Sequence, residues 1–315
     1  MKKQRIDVAK LVTDKIIAEL EAGRTPWIKP WKCTDYSGMP YNGTTNKPYQ
    51  GVNVLMCWLS GFSSPDWYTM RQLSTVAGSG PKWEPKHKGA LGSRGCRVKP
   101  AQLKNGTPIV FYKLKDYRAK ETEDDGTVSY KMKRFPLIRF STAYNRDQID
   151  GLPPLPKSET VVAPTPEDIE AILESLNLEA GVKFGGDVAC YMPTPDGIRL
   201  PNVGDFDSED HFKSTALHEA VHSTGHKSRL DRDLKNGPGS KGYAFEELVA
   251  EMGSAMCCAM LGIEWEKLQH ADYIASWLEV LKNDSSFVIR AASKATKAAK
   301  FLLPEAEAVE EAKAA

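Results

Sequence analysis

The apolar positions near the start of the chain recur at the spacing of an amphipathic helix. That stripe comprises Ile6, Ala9, Leu11, Val12, Ile16, Ile17 and Leu20. Side chains three or four positions apart share one helical face, so the stripe predicts a helix over residues 7–22, which Gly23 ends. Residues 49–60 are almost continuously apolar and predict a second, buried helix.

Two further apolar runs in the first half predict β-strands. They lie at 108–114 and 135–144 and are rich in aromatic and β-branched residues. The charged stretch between them, at 115–133, is typical of a solvated hairpin. Residues 78–106 are rich in Gly, Lys and Arg with few apolar positions, and they predict a basic loop.

A proline-rich segment divides the chain into two parts. Residues 151–166 contain five prolines and little that could form a core, as in a semi-rigid spacer. The sequence therefore predicts one domain at 1–150, a linker at 151–166 and a second domain at 167–303. An acidic, Ala-rich tail follows at 304–315.

The second domain has a different pattern from the first. Thr165, followed by a proline and two acidic residues, predicts the start of a helix. Strands are predicted near 182–192 and at 197–200, and from Asp210 the pattern is helical, interrupted by a loop at 227–242. The fold class is therefore α+β, with a basic α+β domain joined by the Pro-rich linker to a mostly helical one.

Charge is distributed very unevenly along the chain. The net charge is only +1, but residues 1–150 hold 26 basic against 14 acidic residues, and residues 151–315 hold 16 against 27. Such asymmetry is typical of a protein in which one domain binds a polyanion.

The composition also indicates a cellular compartment. No stretch of eighteen apolar residues is present, and the amino terminus lacks the uninterrupted apolar core of a signal peptide. The six cysteines show no CxxC pairs, which favours reduced thiols. We therefore expect a cytoplasmic protein with no membrane partner.

The strongest chemical signal is the pentapeptide HEAVH at 218–222. On a helix, His218 and His222 leave the same face one turn apart and can share a cation, while Glu219 can act as general base. Glu247 and Glu251 lie on one face of a second predicted helix. We predict Glu247 as the third ligand and Glu251 as the acceptor of a ligand histidine's second ring N–H.

Alternatives remain at this site. HExxH also occurs by chance, although the acidic helix downstream argues against chance here. Glu246 is a weaker ligand candidate than Glu247 because it lies elsewhere on its helix. His226 is predicted to cap the helix or support a ligand rather than bind the metal. Zn²⁺ is the expected ion, with Mn²⁺ or iron as alternatives. Residues 198–201 either pair with an extended peptide or only close the core.

The basic half interleaves cationic and aromatic residues, a mixture that holds single-stranded nucleic acid by stacking and phosphate contacts. The predicted DNA-binding residues are Trp27, Lys29, Trp31, Lys32, Arg71, Lys82, Trp83, Lys86, Lys88, Arg94 and Arg97. The alternative for any one tryptophan is burial in the core, with the charges forming a solvated face.

Several long stretches carry a family resemblance. In the first half they are VTDKIIAELEAGRTPWIKPW, NKPYQGVNVLMCWL, TPIVFYK and YNRDQIDGLP; in the second they are TALHEAVHSTGHKSRLDRDL, YAFEELVAEMGSAMCCAMLGI and HADYIASWLEVLKNDSSFVIRAASKATKAAKFLL. The chain resembles the ArdC antirestriction family of conjugative plasmids and phages, which is related to TraC-type DNA primases. The resemblance covers nearly the whole chain but departs at the longer segment 78–106.

The resemblance implies an amino-terminal domain that binds single-stranded DNA, with weaker binding to double-stranded DNA, and a carboxy-terminal zincin-like metallopeptidase domain. It also implies protection of incoming DNA from restriction endonucleases. The metal domain is then either auxiliary or an active protease that cleaves a restriction-endonuclease subunit or another DNA-bound protein. A third, weaker hypothesis is a primase accessory, for which the sequence offers no phosphate-binding motif.

Overall fold

A computed structural model describes residues 7–27, 38–76, 95–122, 128–155, 163–264 and 271–304. The first half contains α1 (Val8–Glu21), β1 (Tyr41–Asn42), α2 (Val52–Trp58), β2 (Asp66–Thr69), α3 (Met70–Leu73), β3 (Arg97–Val98), β4 (Thr107–Thr122), β5 (Val128–Asn145) and β6 (Ile149–Asp150). The second half contains α4 (Pro166–Ser175), β7 (Gly181–Phe184), β8 (Cys190–Met192), β9 (Gly197–Leu200), α5 (Glu209–Ser223), α6 (Lys241–Leu261), α7 (Ala271–Asn283) and α8 (Phe287–Leu302). The architecture is mixed α+β, as predicted.

The predicted first helix is confirmed as α1. Asp7 caps it, because its carboxylate accepts the backbone N–H of Lys10 at 3.1 Å. The predicted helix over 49–60 is the shorter α2, and Thr165 caps α4 as expected.

The largest sheet has the strand order β1-β2-β5-β4. β4 and β5 form an unbroken antiparallel ladder from Thr107 opposite Ala143 to Thr122 opposite Val128. The strands are therefore about twice as long as the sequence predicts, because residues 115–122 and 128–133 of the charged insertion continue the ladder. The predicted solvated hairpin is the outer part of a long two-stranded ribbon.

The second half contains a three-stranded sheet with the order β7-β9-β8. The single strand predicted near 182–192 is two strands, β7 and β8. β9 lies in the centre, parallel to β7 and antiparallel to β8. The suggestion that residues 198–201 offer an edge for an extended peptide is therefore wrong, because both sides of β9 are already paired. The edge strand next to the site is β8.

One hydrophobic core runs through both halves of the chain. It includes Val12 and Ile16 from α1, Leu55 from α2, Leu248 from α6 and Trp277 from α7. Backbone groups are also linked across the halves. Gly51 N–H donates to Thr296 Oγ1 at 2.8 Å, and Gly38 N–H donates to the carbonyl of Ala259 at 2.8 Å. The metal-site helices consequently pack against elements from both sides of the Pro-rich segment.

Within the ranges that the structure describes, no helix has both the length and the apolar character needed to cross a bilayer.

Candidate metal centre

Two capped helices provide the framework of the site. Ser208 caps α5 by accepting the His211 N–H at 3.0 Å, and Ser240 caps α6 by accepting the Tyr243 N–H at 3.1 Å. Gly262, at φ +73°, ends α6 in the left-handed conformation that glycine adopts without strain. Both helices are deeply buried around the site, so its side chains project from rigid backbone.

The structure brings together the three residues predicted as ligands. His218 Nε2 lies 3.1 Å from His222 Nε2 and 3.7 Å from Glu247 Oε2, and His222 Nε2 lies 3.5 Å from Glu247 Oε1. Ligand atoms around a tetrahedral ion at about 2.0–2.2 Å are separated by roughly 3.3–3.6 Å. The donor set therefore fits one divalent cation without rearrangement of the helices.

The electrostatics of this trio also suit a cation. Burial would lower the pKa of His218, but the Glu247 carboxylate and the charges of Glu219 and Glu251 raise it to about 9. Burial would likewise raise the pKa of Glu247, but its interactions with His218 and His222 and a hydrogen bond from Tyr243 lower it to about 2. The two shifts describe an imidazolium–carboxylate pair, in which a bound cation would take the place of the proton on His218.

Glu219, the predicted general base, lies in the same cavity as the three donors. The cavity has a volume of about 560 Å³, and its wall includes β8 residues and the Thr215, His211 and Tyr243 side chains. The backbone N–H of Tyr191 in β8 donates to Glu219 Oε2 at 2.6 Å. The edge strand therefore holds this carboxylate in place. His211, on α5, is also part of the cavity wall.

Glu246 has a role that the sequence analysis missed. Its Oε1 lies 3.3 Å from His222 Nδ1, and its carboxylate accepts two hydrogen bonds from the Arg232 guanidinium at 2.9 and 2.7 Å. Arg232 also donates to Thr224 Oγ1 and to the Val221 carbonyl, each at 2.7 Å. The Arg232–Glu246 pair thereby fixes the orientation of the His222 ring.

Glu251 lies one helical turn beyond Glu247 and is 2% exposed. Its charge is one of those that raise the pKa of His218, and its acceptance of a ligand histidine's ring N–H stays a prediction. Trp27 Nε1–H donates to Glu251 Oε2 at 3.3 Å. Trp27 itself is 0% exposed, which contradicts its prediction as a residue that stacks on DNA bases. It belongs to the core, as the alternative interpretation holds.

The turn that follows α5 is joined to the β8–β9 hairpin, whose strand β8 borders the cavity. Arg229 forms a buried ion pair with Asp196, and Tyr191 Oη–H donates to Asp196 Oδ1 at 2.6 Å. This pair joins the turn to the β8–β9 hairpin. His226 Nδ1 lies 2.8 Å from Ser228 Oγ, and the His226 carbonyl accepts the Arg229 N–H, so His226 orders the turn and does not line the cavity.

Most of the predicted DNA-binding residues lie outside the described part of the chain. These are Lys29, Trp31, Lys32, Lys82, Trp83, Lys86, Lys88 and Arg94. Of the remainder, Arg71 is exposed on α3. Arg97, in β3, is partly exposed, and its Nε lies 3.6 Å from Asp150 Oδ2.

Two family models match the chain. Residues 6–144 match the N-terminal domain of anti-restriction factor ArdC, and residues 167–294 match the zincin-like metallopeptidase family. Two curated sequences of DNA primase TraC from Escherichia coli are 37% and 36% identical over 93% of this chain. The chain spans only 26% and 20% of their lengths.

Full-length similarity is found elsewhere. The uncharacterized protein y4eC of Sinorhizobium fredii (strain NBRC 101917 / NGR234) is 33% identical over 94% of this chain and 91% of its own length. The metal-free crystal structure of antirestriction ArdC from the R388 plasmid is 32% identical, with a TM-score of 0.70 over 96% of this chain and 98% of that one. Its Mn(II)-bound structure is 34% identical, with a TM-score of 0.71 over 96% and 99%. The chain therefore belongs to the ArdC antirestriction family.

Proposed function

We propose that this protein binds single-stranded DNA, and double-stranded DNA more weakly, and that it protects incoming plasmid or phage DNA from host restriction endonucleases. The observation that carries the proposal is the likeness to antirestriction ArdC along 96% of the chain. The excess of 12 positive charges in residues 1–150 supports the DNA-binding part, since phosphate contacts dominate affinity for nucleic acid.

We also propose that His218, His222 and Glu247 hold a divalent cation. Two imidazoles and one carboxylate are the donor set that zinc prefers, and Mn²⁺ is the alternative because the R388 ArdC structure contains Mn(II). A divalent ion there supplies a Lewis acid that polarises a carbonyl group. Glu246, fixed by Arg232, orients His222 toward the ion.

A metal-dependent peptidase is the second candidate function. The observation that favours it is the position of Glu219, whose carboxylate lies in the same cavity as the donors and is held by the Tyr191 N–H at 2.6 Å. In that role Glu219 accepts a proton from the attacking water and returns it to the leaving amine. The substrate would be a restriction-endonuclease subunit or another DNA-bound protein.

The Glu219→Gln variant separates the two candidates. The amide keeps the shape and the Tyr191 hydrogen bond but cannot accept a proton. We expect transfer of unmodified DNA into a restricting host to stay protected, with metal content and DNA affinity unchanged. Loss of protection with both properties intact would instead favour the peptidase. His222→Ala, which removes a donor, is the matched control for loss of metal.

Binding to an unstructured oligonucleotide tests the DNA part directly. Affinity should fall steeply between 50 and 200 mM salt, because each phosphate contact releases a condensed counterion. Equal affinity at the two salt concentrations would refute electrostatic binding by the basic half.

A further inference from the structure

The ribbon formed by β4 and β5 extends well beyond the sheet to which it belongs. The side chains described between residues 116 and 134 are all exposed, and they are Asp116, Tyr117, Arg118, Tyr130, Met132 and Arg134. Adjacent residues in a strand point to opposite faces, so these six described side chains are exposed on both faces of the ribbon. A two-stranded ribbon without a packed face is only marginally stable in water. A bound partner would supply the missing contacts.

The ribbon also concentrates exposed apolar surface. Among the described residues, eight large hydrophobic side chains are exposed, and five of these lie on β4 or β5. They are Phe111 (40% exposed), Tyr117 (42%), Tyr130 (64%), Met132 (65%) and Phe140 (42%). Single exposed apolar residues are ordinary, but such a concentration on one element marks an interaction surface.

The charge of the two strands indicates the kind of partner. β4 and β5 carry eight Lys and Arg against two acidic residues. The ladder sets three of the exposed aromatics directly opposite cationic positions, pairing Phe111 with Arg139, Tyr117 with Lys133 and Tyr130 with Lys120. Residues opposite each other in an antiparallel ladder share a face at about 5 Å. The two strands therefore combine exposed rings with exposed guanidinium groups, those of Arg118, Arg134 and Arg139.

We infer that this ribbon is the surface that contacts single-stranded nucleic acid. Unpaired bases stack on the exposed rings, and the lysines and arginines bind the phosphates. The inference rests on the proposed DNA-binding function and assigns it a surface. Phe111 and Tyr117 lie on one face about 20 Å apart, which accommodates several nucleotides.

Other occupants fit this surface less well. A second copy of the ribbon would bring eight more positive charges against the first. Duplex DNA satisfies the cations but hides its base faces, so the aromatic residues would gain nothing. The connection between the strands contains Glu123, Asp124 and Asp125. Their charge repels phosphate, so the nucleic acid would contact the two strands rather than this connection.

Two full-length variants test the inference by titration with a fluorescent 20-nucleotide oligo(dT) over a series of salt concentrations. Tyr117→Ser with Tyr130→Ser removes stacking, and we expect binding to weaken by roughly 30-fold or more at every salt concentration. Arg118→Gln with Arg139→Gln removes two cations. It should reduce the slope of log affinity against log salt by about 1.4, or 0.7 for each lost phosphate contact.

The control is Phe301→Ser on α8, which removes a ring that is 42% exposed outside the ribbon. It should bind like the wild type. Wild-type binding that both ribbon variants retain would overturn the ribbon assignment and leave the proposed function standing. A wild type that binds no oligonucleotide would refute the proposed function itself. Hydrogen exchange gives a second measurement, since oligo(dT) should slow exchange of the β4–β5 amides, and unchanged exchange would also overturn the assignment.

Discussion

The indole Nε1–H of Trp27 donates to Glu251 Oε2 across 3.3 Å, and the Trp27 ring meets the Trp277 ring edge-to-face at 5.3 Å. Trp27 comes from the first half of the chain, whereas Glu251 lies behind the metal ligands in the second. The charge of Glu251 acts on His218, so the hydrogen bond from Trp27 reaches the metal centre through one carboxylate. The family match that covers the ligands begins at residue 167, yet part of their support lies far upstream.

Replacing Trp27 with Phe should weaken metal binding without unfolding the protein. Phenylalanine keeps an aromatic ring against Trp277 but removes the donor to Glu251. Loss of such a support behind a ligand typically costs 10–100-fold in metal affinity. We therefore expect about a tenfold increase in the Kd for Mn²⁺ or Zn²⁺, measured by calorimetric titration.

Trp58→Phe is the matched control for that experiment. Trp58 is also buried, but its indole donates to the Gly38 carbonyl at 3.2 Å, away from the metal centre. Trp58→Phe should lower the free energy of unfolding about as much as Trp27→Phe does, and it should leave metal affinity unchanged. Equal metal affinity in the two variants would show that the Trp27 hydrogen bond does not support the site.

The Arg232–Glu246 pair should be strongly coupled in stability. Both side chains are buried, at 3% and 8% exposed, and Arg232→Met would leave the Glu246 carboxylate without its cation. Breaking a buried pair from one side costs about 3–5 kcal/mol, while removing both charges costs much less. Urea unfolding of Arg232→Met, Glu246→Gln and the double variant measures this. The double variant should lose less free energy of unfolding than the two single variants lose together. Additive effects would argue against coupling.

The metal donors could be predicted from the sequence because helical periodicity decides which side chains share a face. A four-residue spacing puts His218 and His222 together whatever else surrounds them, and the same rule selects Glu247 with Glu251. The contribution of Glu246 depends on how α6 crosses α5, which no spacing within one helix encodes. Arg232 reaches the site from an irregular turn, so its role also required the structure.

In the first half of the chain, less could be predicted from the sequence. Composition suggested that a tryptophan beside lysines could stack on DNA, but burial of Trp27 depends on packing against α7, more than two hundred residues away. The length of the β4–β5 ribbon was missed because charged, alternating residues are also typical of a solvated loop. Only the pairing register shows that 115–122 and 128–133 belong to the ladder, with aromatic positions opposite cationic ones.

Metal affinity should increase with pH. In the metal-free protein the pKa of His218 is about 9, so at neutral pH its imidazole carries a proton that a cation must displace. One released proton makes the affinity rise roughly tenfold per pH unit below pH 9 and level off above it. Titrations with Mn²⁺ at pH 6.5, 7.5 and 8.5 measure this, and buffers of different ionisation enthalpy count the protons. Affinity that is independent of pH would contradict the assignment of a protonated His218.

The same pKa predicts how the metal-free protein responds to alkali. A histidine whose pKa is raised in the folded state contributes stability that is fully present below its unfolded pKa of about 6.5 and is lost as pH rises through about 9. The free energy of unfolding should therefore decrease between pH 6.5 and 9 without metal. With saturating metal that decrease should disappear, because His218 is then unprotonated throughout. If the free energy of unfolding decreased equally with and without metal, the decrease would come from groups other than His218.

Asp196 should control acid stability at the β8–β9 hairpin. Burial would raise the pKa of Asp196, but the Arg229 guanidinium and the Tyr191 hydroxyl hold it below the ordinary value of 3.8. A carboxyl with a lowered pKa contributes stability above its unfolded pKa, and that stability is lost as the pH falls through the folded value. Asparagine tolerates the positive φ of +60° at this position, so Asp196→Asn removes the charge without straining the backbone.

We expect Asp196→Asn to lower the free energy of unfolding by about 3–5 kcal/mol at pH 7, because Arg229 is left buried without its partner. The difference in unfolding free energy from the wild type should shrink as the pH falls below 3.8 and through the lower pKa of the folded state, because the wild-type carboxyl then loses its charge. Asp187, which is exposed and part of the cavity wall, gives the control Asp187→Asn, which should behave like the wild type across this range. If the difference in unfolding free energy between Asp196→Asn and the wild type stayed constant down to pH 2, the charge of the carboxylate would not be what stabilises the hairpin.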